Sequence, residues 1–433
     1  MGASALNFNL SAEPETGSDY ESCPAAMDRR SGRLPRAGRK ILLVTNLFPP
    51  QEFGGYGRMM WEFARGLIAR GHDVRILTGD LAGVAKAPAA EEQAMEERVS
   101  RTLELFGGWR RGRPVLAPRG VAAVRVQHNL GCLRVVLQRW APDLVLAGNL
   151  DFLGQSVIQT ALDAAIPVLH AVANAGTGYG PAVQPCSPGY WVAPCSDWNG
   201  SVLRQAGYLP ARMETLYPGA RLDRFYRIGL PANESLRLCY ASLVMPHKGA
   251  QTLVEALVEL QRRGIAFKAE IAGDAPDPDF LAHLRTLAAD AGLEQAIRFS
   301  GFLDRAQIAA LYARSNVLVF PSQFPEPFGI AQVEALAAGL VVVTSGTGGA
   351  KEVVRAGVDG LHFEPANAVD LADKLALLSR EPGLMAQLQQ AGQERAAEFS
   401  VDTASARIEE RMEALIAMRS VTPTLAYADA SHG

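Results

Sequence analysis

The chain has no long apolar run: nothing in its 433 residues approaches the roughly 20 consecutive apolar positions that cross a bilayer. Its first residues also lack the basic-then-apolar order of a secretory signal, so the expected compartment is the cytoplasm. Cysteine is scarce. The five present, Cys23, Cys132, Cys186, Cys195 and Cys239, are odd in number and form no C-x-x-C, which argues against a disulfide framework or a zinc site. Charge is nearly balanced, with a net of −3, so no nucleic-acid partner is expected. What is abundant is apolar side chain: 48 % of the sequence can fill more than one core, and the length argues for two domains.

The most informative stretch runs from Val317 to Val354, VLVFPSQFPEPFGIAQVEALAAGLVVVTSGTGGAKEVV. Val317 to Phe320 reads as a buried strand, and Pro321, Pro325 and Pro327 break the loop after it. A helix follows from Gly329, with Ile330, Val333, Ala337, Ala338 and Val341 at helical spacing and Glu334 on the same inward stripe. A carboxylate there is either a solvated helix-edge residue or a ligand group. On the second reading the open amides of Phe328, Gly329 and Ile330 face a phosphate, and Glu326 and Glu334 grip hydroxyls around it.

Glu326-x7-Glu334 around EPFG, followed by GTGG and Glu352, closely resembles the signature of family 4 of the retaining glycosyltransferases. A bare pair of acids at this spacing would be weak; the ordered strand, loop, helix and Gly-rich turn make it specific. The resemblance extends more loosely over residues 40 to 400. It implies an α/β protein of GT-B architecture, two Rossmann-like domains facing across a cleft.

Taken in order, residues 1–38 lack periodicity and read as a disordered extension. A strand at Ile41–Thr45, a helix carrying Met60, Phe63, Ala64 and Leu67 inward, and a strand at Val74–Leu77 make a β-α-β unit. Its loop, Pro49 to Gly57, holds Gly54 and Gly55, which read either as a plain turn or as a place of close backbone approach to a ligand. Further strands are expected at 144–147, 167–172, 191–193 and 214–217, with Asn149, Asp151, Asn174 and Ser196 at strand ends near one crevice. Between 80 and 120, Arg98, Arg101, Arg110, Arg111, Arg113 and Arg119 flank Leu105, Phe106 and Trp109; this is a solvated face or, as the second reading, a patch for an acidic acceptor or for weak peripheral contact with the inner face of a membrane.

Tyr217-Pro218-Gly219 reads as a hinge, so residues 39–218 form the first domain and 219–400 the second, with strands at 238–241, 269–272, 297–299, 317–320 and 341–344. By the resemblance a last helix, 401–419, crosses back toward the first domain, before a tail at 420–433.

The resemblance also assigns roles. Glu326 would hold the donor sugar's hydroxyls, Glu334 the nucleotide ribose, Lys248 of the HKG turn the diphosphate, and the amides of Phe328, Gly329 and Ile330 a phosphate or the sugar. Phe302, in the Gly301-Phe302-Leu303 turn, would edge the base. Gly54, Gly55, Tyr56 and Asn149 would line the acceptor side of the cleft. Two departures stand out: Ser242 occupies the position where an Arg is usual, and the region where the family often carries a His has Ala173 and Asn174. Asn174 can hydrogen-bond a sugar but cannot take its proton.

The implied activity is retaining, metal-independent transfer from a nucleotide-diphosphate sugar, UDP- or GDP-linked, with no cofactor. The acceptor is a sugar, a lipid-linked molecule or a small molecule. Asp277-Pro-Asp279 spells a D-x-D but reads as turn and helix-cap chemistry. The alternatives are a degenerate relative that binds sugar nucleotides without turnover, and a sugar-nucleotide epimerase of the same architecture.

Overall fold

Short runs of β-branched and aliphatic residues, buried on both faces, dictate parallel strands covered by helices. A computed structural model describes residues 38–421 apart from 53, 82, 84–89, 111 and 112. The expected N-terminal extension and most of the C-terminal tail lie outside the described residues. The strands are β1 Lys40–Thr45, β2 Asp73–Gly79, β3 Val99–Leu103, β4 Gly107–Arg110, β5 Arg113–Leu116, β6 Leu144–Ala147, β7 Val168–Val172, β8 Tyr190–Pro194 and β9 Arg212–Met213 in the first half. In the second half they are β10 Leu236–Ala241, β11 Phe267–Ala272, β12 Ile297–Gly301, β13 Val317–Phe320, β14 Val341–Thr344 and β15 Leu361–His362.

The first seven-stranded sheet has the order β3-β2-β1-β6-β7-β8-β9, and the second, six-stranded, β12-β11-β10-β13-β14-β15. Every pair in both is parallel. In each, the order reverses beside the first strand, the place where a doubly wound sheet opens a crevice at its strand ends. Two compact units result. One holds the chain up to Pro194, Val202–Leu216 and the chain from Ser405; the other holds Cys195–Ser201 and Tyr217–Ala404. The chain thus has the α/β, doubly Rossmann-like make-up of the GT-B fold.

The first unit's core runs through Leu42, Val44, Val145, Val168 and Val192 on the strands and Leu133, Val136, Leu137 and Trp140 on the helix Arg119–Trp140. The second packs Leu238, Tyr240, Val319 and Val343 against Leu253, Leu257 and Leu375. From Ser405 the helix Val401–Val421 belongs to the first unit. There Glu413 takes two bonds from Arg39 at 3.0 and 2.9 Å, and Glu409 takes two from Arg70 at 2.8 and 2.6 Å.

Two expectations are corrected. The strand foreseen at 214–217 is only β9, Arg212–Met213, but the chain beyond it keeps bonding along β8, with Glu214 N to Val192 O at 3.1 Å and Leu216 N to Pro194 O at 2.8 Å. Val341 is not on the helix stripe: the helix ends at Ala337 and Val341 begins β14.

In the arginine-rich stretch, the apolar residues named above pack against the protein. Leu105 is buried, and Phe106 and Trp109 pack edge-on to Phe152 at 6.2 and 4.7 Å. Arg98 pairs with Asp73, and Arg101 with Glu96. Of the other arginines named there, Arg111 lies outside the described residues, as do the side chains of Arg110 and Arg113. No helix among the described residues is long and apolar enough to cross a membrane.

Candidate active site

In the second unit, β13 ends at Phe320 and the proline-broken loop after it turns back on the end of β10. Gly249, with φ of +75°, makes this possible: a Cβ there would lie 1.8 Å from the Pro321 carbonyl oxygen. The amides of Gln323 and Phe324 donate to the His247 carbonyl at 2.8 and 3.1 Å, joining the loop to the HKG turn. The join brings Lys248 to Glu326. Its Nζ donates to Glu326 Oε1 at 2.5 Å, and Ser322 Oγ donates to the same oxygen at 2.8 Å. Both charges are largely buried, with side chains 21 % and 10 % exposed, where their attraction is screened little. Tyr240, Ser242, Lys248, Ser322 and Glu326 line a recess of about 10 Å³, room for a single water.

The GTGG loop locks Glu326 from the other side. Gly349 N donates to the Glu326 carbonyl at 2.7 Å, and Thr347 Oγ1 donates to the carbonyls of Ser322 and Phe324 at 3.0 and 2.8 Å. A Cβ on Gly348, itself at φ +65°, would come within 2.5 Å of that Glu326 oxygen. Glu352 accepts from the amides of Asp197 and Trp198 at 2.9 and 2.8 Å and from Tyr217 Oη at 3.0 Å. It is therefore a structural acid.

The helix Ile330–Ala337 begins after Gly329, which is left-handed at φ +89° and supplies no side-chain cap. Its first amides remain for solvent or ligand. The Phe328 ring itself packs between Tyr217 and Phe399, at 5.7 and 5.4 Å, so only its backbone can serve a ligand. Glu334, one turn into the helix, is buried and accepts from Arg305 Nη2 at 2.5 Å. Arg305 opens the helix Arg305–Arg314, which Asp304 and Gln307 cap reciprocally. Just before it, Phe302 is 56 % exposed, immediately after β12. Arg305 was not legible as a site residue, since its partner lies 29 positions away on another helix. Asp277 is occupied as a helix cap, accepting from the amides of Asp279 and Phe280 at 3.1 and 3.3 Å. Among the described residues no three His, Cys, Asp or Glu gather as a metal site.

In the first unit, strand ends gather a second constellation around a cavity of about 160 Å³ lined by Asn46, Leu47, Tyr56, Gly57, Trp109, Asn149, Asp151 and Asn174. Asn149 Oδ1 accepts from Asp151 N at 3.0 Å, Asn46 Nδ2 donates to the Asp151 carbonyl at 3.3 Å, and Asn174 Nδ2 donates to Asp151 Oδ2 at 3.1 Å. Burial raises the Asp151 pKa, while the Asn149 and Asn174 amides pull it back down. Tyr56 donates its hydroxyl to the Ala171 carbonyl.

Gly54 and Gly55 do not line the cavity: Gly54 caps the helix Gly55–Ala69. Ser196 does not join the crevice either. It belongs to the second unit, where its Oγ accepts from Asn199 N at 3.0 Å. His170 is wholly buried between Tyr190 Oη and the Gly148 carbonyl, each 3.0 Å away, and burial pushes its pKa down to about 4. It is a neutral core residue. Asn46 and Trp109 were missed as site residues: Asn46 could have been found as the first polar residue after β1, whereas nothing in the sequence around Trp109 announces its place.

Comparison with known proteins points the same way. The family profile described as "Glycosyl transferases group 1" matches residues 225–395. A glycogen synthase of Mycobacterium tuberculosis is 26 % identical over 377 residues, covering 82 % of this chain and 90 % of its own. A GDP-mannose-dependent alpha-(1-6)-phosphatidylinositol monomannoside mannosyltransferase of the same species is 28 % identical over 85 % of this chain and 97 % of its own. Among solved structures, Anabaena HepE in complex with UDP and glucose superposes with a TM-score of 0.64 at 20 % identity, over 87 % of this chain and all of its own.

Proposed function

Because the chain belongs to glycosyltransferase family 4, the group 1 glycosyl transferases, and is an enzyme of that kind, we propose the following reaction. It moves a sugar from a nucleotide-diphosphate sugar to an acceptor hydroxyl, with retention at the anomeric carbon and no metal ion. The observation that carries this reading is the Lys248 ammonium held 2.5 Å from Glu326 beside the uncapped start of the helix Ile330–Ala337.

The donor's anomeric C–O bond breaks and the leaving diphosphate gains negative charge. Lys248 and the amides of Gly329 and Ile330 stabilise that charge where it grows. Glu326, released from Lys248 by the incoming phosphate, accepts hydroxyls of the donor sugar, and Glu334 accepts those of the ribose. Phe302 offers a face to the base. The acceptor oxygen forms its bond to the anomeric carbon on the side the diphosphate leaves, and its proton passes to the departing phosphate oxygen. No protein base is needed, in keeping with Asn174 and the buried, neutral His170. The names of the relatives favour a UDP- or GDP-linked donor.

A thermal-shift panel of UDP, GDP, ADP and dTDP sugars, without acceptor, tests the donor class. A ligand at 100 times its dissociation constant adds about 2.7 kcal/mol of stability. One nucleotide should stand out; no shift with any would contradict the reading.

A further inference from the structure

We propose that the cavity of the first unit takes an uncharged sugar or polyol as acceptor, and that Asp151 excludes phosphorylated ones. This rests on the transfer reaction proposed above and names its acceptor class. Three primary amides, of Asn46, Asn149 and Asn174, and one carboxylate line the cavity. Each amide has two donors and an acceptor, and the carboxylate accepts, which matches hydroxyls that both give and take hydrogen bonds. Trp109, braced edge-on by Phe152, adds an aromatic wall for the apolar face of a sugar ring.

None of the described residues lining the cavity is Lys, Arg or His. Arg58, next in sequence to the lining residue Gly57, is neutralised by Glu52 and Glu92 at 2.8 and 2.6 Å. A phosphate entering this space would lose its hydration beside the Asp151 carboxylate with no cation among the described lining residues to replace it, and burial strengthens that repulsion. The carboxylate is held in place by Asn174 at 3.1 Å, so turning away from an anion would break that bond.

The test pairs each acceptor with its own phosphate ester: glucose with glucose 6-phosphate, mannose with mannose 6-phosphate, and inositol with an inositol monophosphate. Ligand-observed NMR on the full chain reads binding without a donor, so its outcome is independent of nucleotide binding. The uncharged member of at least one pair should bind at least 10-fold more tightly than its phosphate. Equal or tighter binding of the phosphate, or no binding by any uncharged member, overturns the proposal.

Asp151→Asn should cut the preference at least fivefold while the nucleotide thermal shift stays as in wild type, which also reports that the variant folds. An unchanged preference in a folded Asp151→Asn variant would remove Asp151 from the role. Loss of nucleotide binding in the wild-type protein would instead count against the donor reading.

Discussion

Arg305 Nη2 meets Glu334 Oε1 at 2.5 Å, a pair that leaves the carboxylate 4 % exposed and the guanidinium 35 %. Removing one partner of a fully buried pair costs about 3–5 kcal/mol, and the exposure of Arg305 reduces that. Arg305→Ala should therefore destabilise the protein by about 1–3 kcal/mol in urea unfolding. Glu334→Gln should raise the dissociation constants of nucleotide diphosphate and nucleotide sugar alike, about 10-fold, because both carry the ribose. Unchanged nucleotide affinity in the Gln variant would remove Glu334 from the ribose.

Glu326→Gln is expected to separate binding from turnover. The nucleotide's dissociation constant should stay within about twofold of wild type while kcat falls by roughly 10²-fold, since hydroxyl contacts that tighten in the transition state appear in kcat. A parallel loss of nucleotide affinity would mean that Glu326 serves the diphosphate.

His170 gives a pH signature with a definite sign. Unfolded, it protonates near pH 6.5; folded, burial delays protonation to about pH 4. Between those values unfolding takes up a proton, so this residue's contribution to stability is full above pH 6.5 and falls as the pH drops toward 4. A shift of this size corresponds to a loss on the order of 3 kcal/mol. Denaturant unfolding at pH 7 and 4.5 should show that loss in wild type and a smaller one in His170→Gln; equal losses would contradict it.

Gly249→Ala should cost about 2–4 kcal/mol, from a strained left-handed backbone and from overlap with the Pro321 carbonyl. Because the same turn carries Lys248, kcat should fall in parallel. A fully stable, active Ala variant would mean that the turn does not need its close approach.

Much of this was legible where burial alone decides the structure. β6, β13 and β14 are four-residue, wholly buried runs whose ends the sequence reading met to the residue. β3 was missed because VSRTL, at a sheet edge, mixes polar and apolar residues. The pairing of Lys248 with Glu326 was equally hidden. The motifs named both residues, but only the chain's return over Gly249 brings positions 78 apart together. Asp151 was placed near the crevice by its position after a strand, but the convergence of the Asn46, Asn149 and Asn174 amides on it depends on the folded loops.

A donor site centred on Lys248 and Glu326 is tested most directly by kcat/KM for transfer from the preferred nucleotide sugar, in wild type and Lys248→Ala. With Ser242 where a second cation is usual, Lys248 should carry the charge stabilisation of the leaving diphosphate. Its loss should cost roughly 10²-fold or more, about 2–3 kcal/mol, the scale of removing one preorganised donor. A folded Lys248→Ala variant with a kcat/KM within about threefold of wild type would contradict the assignment of the donor site to this pair.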